Sequence, residues 1–334
     1  MLEDLTMMWK RKNLGLALGA GGARGLAHIG VLRVFEDESI PIDILVGSSI
    51  GALVGGAFAS GLKTHELERR IGEFLASPIY QDSALKNIRD FEANKKLSLI
   101  QKIQGLFRNR SLLAQAMFRP GILDNEDFQA MIDFFLPDIE IQNTIIPFRA
   151  VATDLVSGRA IVISKGSLRE AVMASCLIPG VVSPHPTNGM LLSDGGITCM
   201  VPTTIAKEEG AKFVVAVSVN RQIQSAEKFS SAVDIYVRAR NIGDFYFEQS
   251  LLREANVVIL PQVGNLHWTD FGRATDLILE GEKAAREKIE HIRKGLNFLR
   301  RWLPSGLFRI TEKKKVNLKI APAQNPQPVM KRNL

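Results

Sequence analysis

Cysteine is scarce in this 334-residue chain, which carries only Cys176 and Cys199. Both lie among small or apolar neighbours, at a spacing that suits neither a zinc site nor a disulfide framework. A reducing compartment, the cytoplasm, is therefore the expectation. A secretory leader is not expected either, because "MLEDLTMMWKRKN" places acids ahead of bases and has no apolar core. There are no internal repeats, and nothing ahead of the C-terminal end has the composition of a linker. Residues 93–123 lack any acid, and residues 44–62 lack any charge.

The remainder is ordinary for a globular protein, with 46% hydrophobic and 23% charged residues and a net charge of +7. A basic balance favours acidic partners in general without selecting one; nucleic acid is not expected, and anionic lipid stays open. The uncharged stretch "ILVGSSIGALVGGAFASGL" is long enough to cross a bilayer, and Gly47, Gly51 and Gly55 repeat at membrane-helix spacing. Five glycines and three serines within it argue instead for a buried strand, a turn and a helix.

Apolar runs at 14–19, 42–47, 145–155, 160–164, 190–194, 212–220 and 256–261 read as strands. Helical patterns fall between them, at 24–38, 50–61, 64–76, 124–136, 167–176 and 230–253. Strands alternating with helices predict an α/β fold, a three-layer α/β/α sandwich around a central, mostly parallel sheet. The division expected is an N-terminal extension over 1–12, one domain over 13–310 and a basic, disordered tail over 311–334. The segment 93–123 sets Lys95, Lys96, Lys102, Arg108, Arg110 and Arg119 among leucines, isoleucines and phenylalanines. Two readings of it stay open: a basic amphipathic segment lying on an anionic membrane, or a surface helix pair covering the core.

Three short stretches carry chemistry. "GAGGARG" (19–25) invites a dinucleotide reading, but the fingerprint needs glycines at n, n+2 and n+5, and counting from Gly19 the last position is Arg24. What remains is a loop of free backbone N–H groups at a helix start, suited to a developing negative charge. "GSSIG" (47–51) places Ser49 between Gly47 and Gly51 in a G-x-S-x-G pattern joining a strand to a helix, the context of a nucleophile elbow. Helix capping is the plainer role for a serine there, and local packing or capping is the expectation for Ser48.

A nucleophilic serine needs a base. None of the five histidines follows the elbow in Ser-Asp-His order with a recognisable loop, and packing or capping suits His28 at least as well. "LLSDGG" offers a carboxylate instead: Asp194 closes a strand ahead of Gly195 and Gly196, where α/β sheets bind ligands. A plain Asp-Gly turn is the competing explanation.

Together "GAGGARG", "GSSIG" and "DGG", with "AVATDLVSGR" and "ASCLIPGVVSP", resemble the patatin-like phospholipases from residue 14 to about 290. The resemblance implies a Ser–Asp dyad without a catalytic histidine, Ser49 being the nucleophile and Asp194 the general base. It further implies an oxyanion hole from the N–H groups of Gly21, Gly22 and Ala23, with Arg24 as a supporting charge. Ala20 departs from the family's usual glycine and puts the loop's conformation in question. On this reading the substrate is a phospholipid or another fatty acyl ester, with peripheral membrane contact through 93–123 and the tail. No metal or cofactor is called for, and calcium independence is expected. A non-catalytic adaptor on the same fold and a thioesterase or other esterase are the rival readings, and no oligomeric state is implied.

Overall fold

The computed structural model describes residues 13–83, 125–220, 232–264, 266–302 and 319–321, together with 86, 223, 225 and 229. The N-terminal extension, the basic segment 93–123 and all of the tail except 319–321 lie outside the described residues.

From its start β1 (Leu14–Leu18) leads through the glycine loop and a 3-10 turn (Gly22–Leu26) into α1 (Ala27–Asp37). β2 (Ile44–Ser48) passes through the elbow into α2 (Ile50–Ala59), followed by α3 (Thr64–Ala76) and α4 (Pro78–Gln81). After α5 (Asn125–Phe135) come β3 (Phe148–Asp154), β4 (Arg159–Ile163), α6 (Leu168–Ser175), β5 (His185–Thr187) and β6 (Met190–Asp194). α7 (Thr203–Glu208), β7 (Phe213–Val217), α8 (Ala232–Leu252), β8 (Val257–Ile259), α9 (Ala274–Trp302) and β9 (Lys319–Ala321) follow.

β3, β2, β1, β7 and β8 lie side by side in that order and all run parallel. β4 and β6 pair with β3 antiparallel, β5 joins β6, and β9 joins β4. The uncharged run 44–62 is thus β2, a turn and α2, as its glycines and serines argued. No described helix is long and apolar enough to cross a membrane.

Strand alternation feeds two cores, as it must when both faces of a sheet are covered. Leu14, Leu16, Leu18, Leu45, Val215 and Val217 point into the larger one, beneath α1, α2, α3, α5, α6 and α9. Ala17, Ile44, Val46, Val214 and Ala216 point the other way, to Ile205 and Ala206 of α7 and Leu252 of α8. This is the three-layer sandwich read from the sequence. Some boundaries differ. The helix expected from Arg24 starts at Ala27, because Gly22 has φ of 59° and residues 22–26 wind as a 3-10 turn. The strand expected from 145 starts at Phe148, after Pro147, which has no N–H to give to a ladder. A short strand, β9, falls inside the tail expected to be disordered.

The long helix α9 lies alongside α1 and in the same direction, tied by Arg33 to Glu282 (2.5 Å), Arg286 to Asp37 (2.9 Å) and Arg293 to Glu38. Two glycines set their separation. A Cβ on Gly30 would fall 1.8 Å from the Ile278 carbonyl oxygen, and one on Gly281 would fall 1.9 Å from that of Ala27. Side chains at either position force the helices apart. Gly30→Val or Gly281→Val is expected to lower the unfolding free energy by about 3 kcal/mol in urea titrations. Gly72→Ala on α3, where a Cβ meets nothing, is expected to raise it by about 0.5–1 kcal/mol.

Candidate active site

The site begins at one edge of β3. Ala150 and Val151 pair with Gly47 and Ser48 of β2, while Ala152, Thr153 and Asp154 pair with Asp194, Ser193 and Leu192 of β6. β4 takes the opposite edge. β2 and β6 therefore approach each other along a shared edge and end opposite consecutive residues, Val151 and Ala152. Neither strand can continue, so each turns away at its tip. The first residue beyond β2 is Ser49, and the last of β6 is Asp194.

The turn at Ser49 is tight. Its backbone sits at φ 54° and ψ −126°, a conformation an L-residue adopts only under constraint from its surroundings. Flanking side chains have no room: a Cβ on Gly47 would lie 2.4 Å from the Gly51 carbonyl oxygen, and one on Gly51 would lie 2.2 Å from that of Leu18. Ser175 pins the elbow, because its hydroxyl accepts the Ser49 N–H at 2.9 Å and donates to the Val151 carbonyl at 2.5 Å. Sequence reasoning did not single out Ser175, although "ASCLIPG" contains it.

Ser49 Oγ donates to Asp194 Oδ2 at 2.6 Å. The other carboxylate oxygen accepts the Gly196 N–H at 2.7 Å, which fixes the plane of the group. Asp194 is buried, and that burial pushes its pKa up to about 6 against the two hydrogen bonds that oppose it. A carboxyl poised there is ionised at neutral pH yet close enough to accept a proton in a reaction. Asp154, also at a strand end, shows the opposite behaviour: the Ser157 hydroxyl and three backbone N–H groups hold it down to about 2. Its turn is structural. The Cys176 thiol lines the same pocket as Ser49, but burial raises its pKa well above the ordinary value, so it stays protonated.

The glycine loop approaches from β1. Arg24 Nε donates to the Gly21 carbonyl at 3.0 Å. In a planar trans peptide the next N–H, that of Gly22, then points to the opposite side. Among the described residues no acceptor meets the N–H of Gly21 or Gly22. The Ala23 N–H, named with them in the sequence, is instead taken by the Trp268 carbonyl at 2.7 Å. That bond removes Ala23 from the free donors. Nothing in the sequence pattern pointed to Trp268, which arrives from 245 residues beyond Ala23.

Ser49 and Gly22 line one pocket. Its walls are Ile50, Leu53, Val54 and Ala57 of α2, Leu67, Ile71 and Phe74 of α3, and Phe128, Met131, Ile132 and Phe135 of α5. Ser49 carries the one hydroxyl among the described lining residues, so the cavity suits an apolar chain ending at that oxygen.

Ser48 and His28 take structural places. Of the packing or capping role expected for Ser48, the packing alternative fits: it closes β2, and its buried Oγ, without a hydrogen-bond partner among the described residues, faces the Gly195 turn, where a Cβ would come within 2.8 Å. Ser49 itself is the N-cap residue, without a side-chain cap bond. His28 is fully buried, its Nε2 donating to the Gly19 carbonyl at 2.8 Å, and burial lowers its pKa to about 4. It braces the end of β1 and makes no bond to Ser49. Among the described residues there is no group of three or more His, Cys, Asp or Glu arranged to hold a metal.

Comparison with known proteins places this geometry. A family model described as patatin-like phospholipase matches residues 16–207. An uncharacterised NTE family protein of Mycobacterium tuberculosis is 35% identical over 207 residues, covering 62% of this chain and 49% of that one. The human patatin-like phospholipase domain-containing protein 6 is 30% identical over 211 residues, covering 63% of this chain and 13% of that one. The chain thus spans about half the length of the mycobacterial relative and a smaller part of the human one. Among solved structures, VipD from Legionella pneumophila aligns over 84% of this chain and 67% of its own, with a TM-score of 0.42 and 12% identity.

The raised pKa of Asp194 has a consequence for stability. Between its ordinary value of 3.8 and about 6 the folded chain keeps a proton that the unfolded chain has released. Stability therefore falls as pH rises through that interval and stays low above it. Asp194→Asn is expected to be more stable than the native chain at about pH 8, by on the order of 2–3 kcal/mol, and to lose that advantage near about pH 4. Thermal unfolding of both proteins across this range measures it.

Proposed function

The chain belongs to the patatin-like phospholipase family, and from that premise we propose that it is a serine hydrolase of fatty acyl esters. The observation that carries the reading is the 2.6 Å hydrogen bond from Ser49 Oγ to Asp194 Oδ2 at the wall of an apolar pocket. Ser49 Oγ attacks the acyl carbonyl as its proton passes to Asp194, and the carbonyl π electrons move onto oxygen. The N–H groups of Gly21 and Gly22 receive that oxyanion. Collapse of the tetrahedral intermediate breaks the ester C–O bond, and the departing alcohol takes the proton from Asp194. Water then attacks the acyl-serine with Asp194 again as base, releasing the fatty acid and restoring the Ser49 hydroxyl.

Phospholipids and lysophospholipids are the substrates proposed, on the strength of the family and the apolar walls beside Ser49. Contact with anionic membrane is assigned to the basic segment 93–123 and the tail. A thioesterase or a non-phospholipid esterase would use the same dyad with a different leaving group, and a panel of acyl esters and thioesters separates them.

A fluorophosphonate probe is expected to label the native protein and not Ser49→Ala, with hydrolysis falling at least about 10³-fold in Ser49→Ala and in Asp194→Asn. Labelling that persists in Ser49→Ala refutes the nucleophile. Because the ionised form of Asp194 is the base, kcat/KM is expected to rise with pH through about 6 and to level above it. For the membrane contact, flotation with anionic liposomes is expected to be lost on charge reversal across 93–123; unchanged flotation removes that role.

A further inference from the structure

A second carboxylate is buried behind the glycine loop. Glu248 of α8 is 2% exposed and lies 54 residues beyond Asp194 in sequence, outside all the motifs. Its Oε1 accepts the Ser218 hydroxyl at 2.5 Å, and its Oε2 accepts Asn220 Nδ2 at 3.1 Å. Both donors belong to the segment that leaves the end of β7. Between them is Val219, the floor on which the glycine loop rests: a Cβ on Gly21 would fall 2.6 Å from Val219 Cγ2 and 3.3 Å from its carbonyl oxygen. The same peptide unit has a second support, because Arg24 Nε donates to the Gly21 carbonyl at 3.0 Å. Glu248 is thereby linked through Ser218 and Asn220 to the floor beneath Gly21.

Packing alone does not account for a carboxyl group at this place. A buried carboxylate costs free energy that an apolar residue of similar volume avoids. Desolvation indeed raises the Glu248 pKa, with repulsion from Asp244 one turn earlier on α8 adding to it. Both carboxyl oxygens are engaged by side chains of the segment after β7, which the group thereby orders.

We propose that Glu248 is a positioning residue for the reaction at Ser49: by holding Ser218 and Asn220 it keeps Val219 beneath Gly21 and so, alongside Arg24 on the Gly21 carbonyl, fixes the peptide whose N–H, on Gly22, receives the oxyanion. The inference rests on the acyl-hydrolase reading above. It assigns Glu248 no contact with substrate, so its loss acts on the transition state and leaves ground-state binding in place.

The test compares the native protein with Glu248→Gln, Arg24→Gln, the double variant and the milder Ser218→Ala. A long-chain p-nitrophenyl ester serves as substrate, and an alkyl trifluoromethyl ketone, which forms an oxyanion when Ser49 adds to it, serves as inhibitor. Glu248→Gln is expected to lower kcat by about tenfold with KM within about twofold, since a misaimed donor forfeits part of the oxyanion stabilisation. Trifluoromethyl ketone affinity is expected to fall by a similar factor. In the double variant the two losses are expected not to multiply, because both act through the same peptide. Ser218→Ala is expected to move kcat and inhibitor affinity in the same direction by less, and it carries the test if Glu248→Gln does not fold. The proposal is overturned if the folded Glu248→Gln protein, or Ser218→Ala in its place, matches the native kcat and inhibitor affinity. It is equally overturned if the losses multiply in full, or if only KM changes. Failure of the parent reading looks different: the native protein itself then neither hydrolyses the ester nor takes the fluorophosphonate label.

Discussion

The edge of β3 opposite β4 holds two strands that arrive from opposite directions, and the reactive geometry is a consequence of where they stop. β2 ends opposite Val151 and β6 ends opposite Ala152. With tips at neighbouring rungs of one ladder, the first side chain beyond β2 and the last of β6 are brought together by backbone hydrogen bonds. The 2.6 Å contact between Ser49 and Asp194 needs no flexible loop to find its partner. Ser175 then ties the same Val151 carbonyl to the elbow N–H. A change in β3 register would separate the pair as surely as a change in either residue.

Burial gives this contact its chemical character. Two strand-end carboxylates sit within one sheet and diverge: Asp154, wrapped by four donors, titrates far below neutral, and Asp194, desolvated and less fully satisfied, titrates near 6. The difference is the ordinary competition between hydrogen bonding to a charge and removal of water from it. Stability is spent at Asp194 and at the positive φ of Ser49, and the α1–α9 clamp and the two cores on either face of the sheet supply it elsewhere.

Much of the architecture was legible in the residues. Continuous apolar strands such as "LGLAL" and "FVVAV" announce a sheet covered on both faces, and small residues around Ser49 announce a backbone too crowded for side chains. The motifs also carried the pairing of Ser49 with Asp194, 145 positions apart, through family resemblance. Local pattern failed where partners come from elsewhere in the chain. The Ala23 N–H looks free until Trp268 is seen to take it, and neither Ser175 nor Glu248 belongs to a recognisable spacing.

By itself, the sequence determined the alternation of strands and helices and the tight turn at Ser49, because these depend on periodicity and on local steric limits. The tertiary structure alone decided which N–H groups of the glycine loop are taken, which carboxylate is pushed toward neutrality and which remote residues pack beside the loop. Those properties follow from the packing of segments far apart in the chain, where desolvation and hydrogen-bond competition are set by neighbours that local spacing does not reveal.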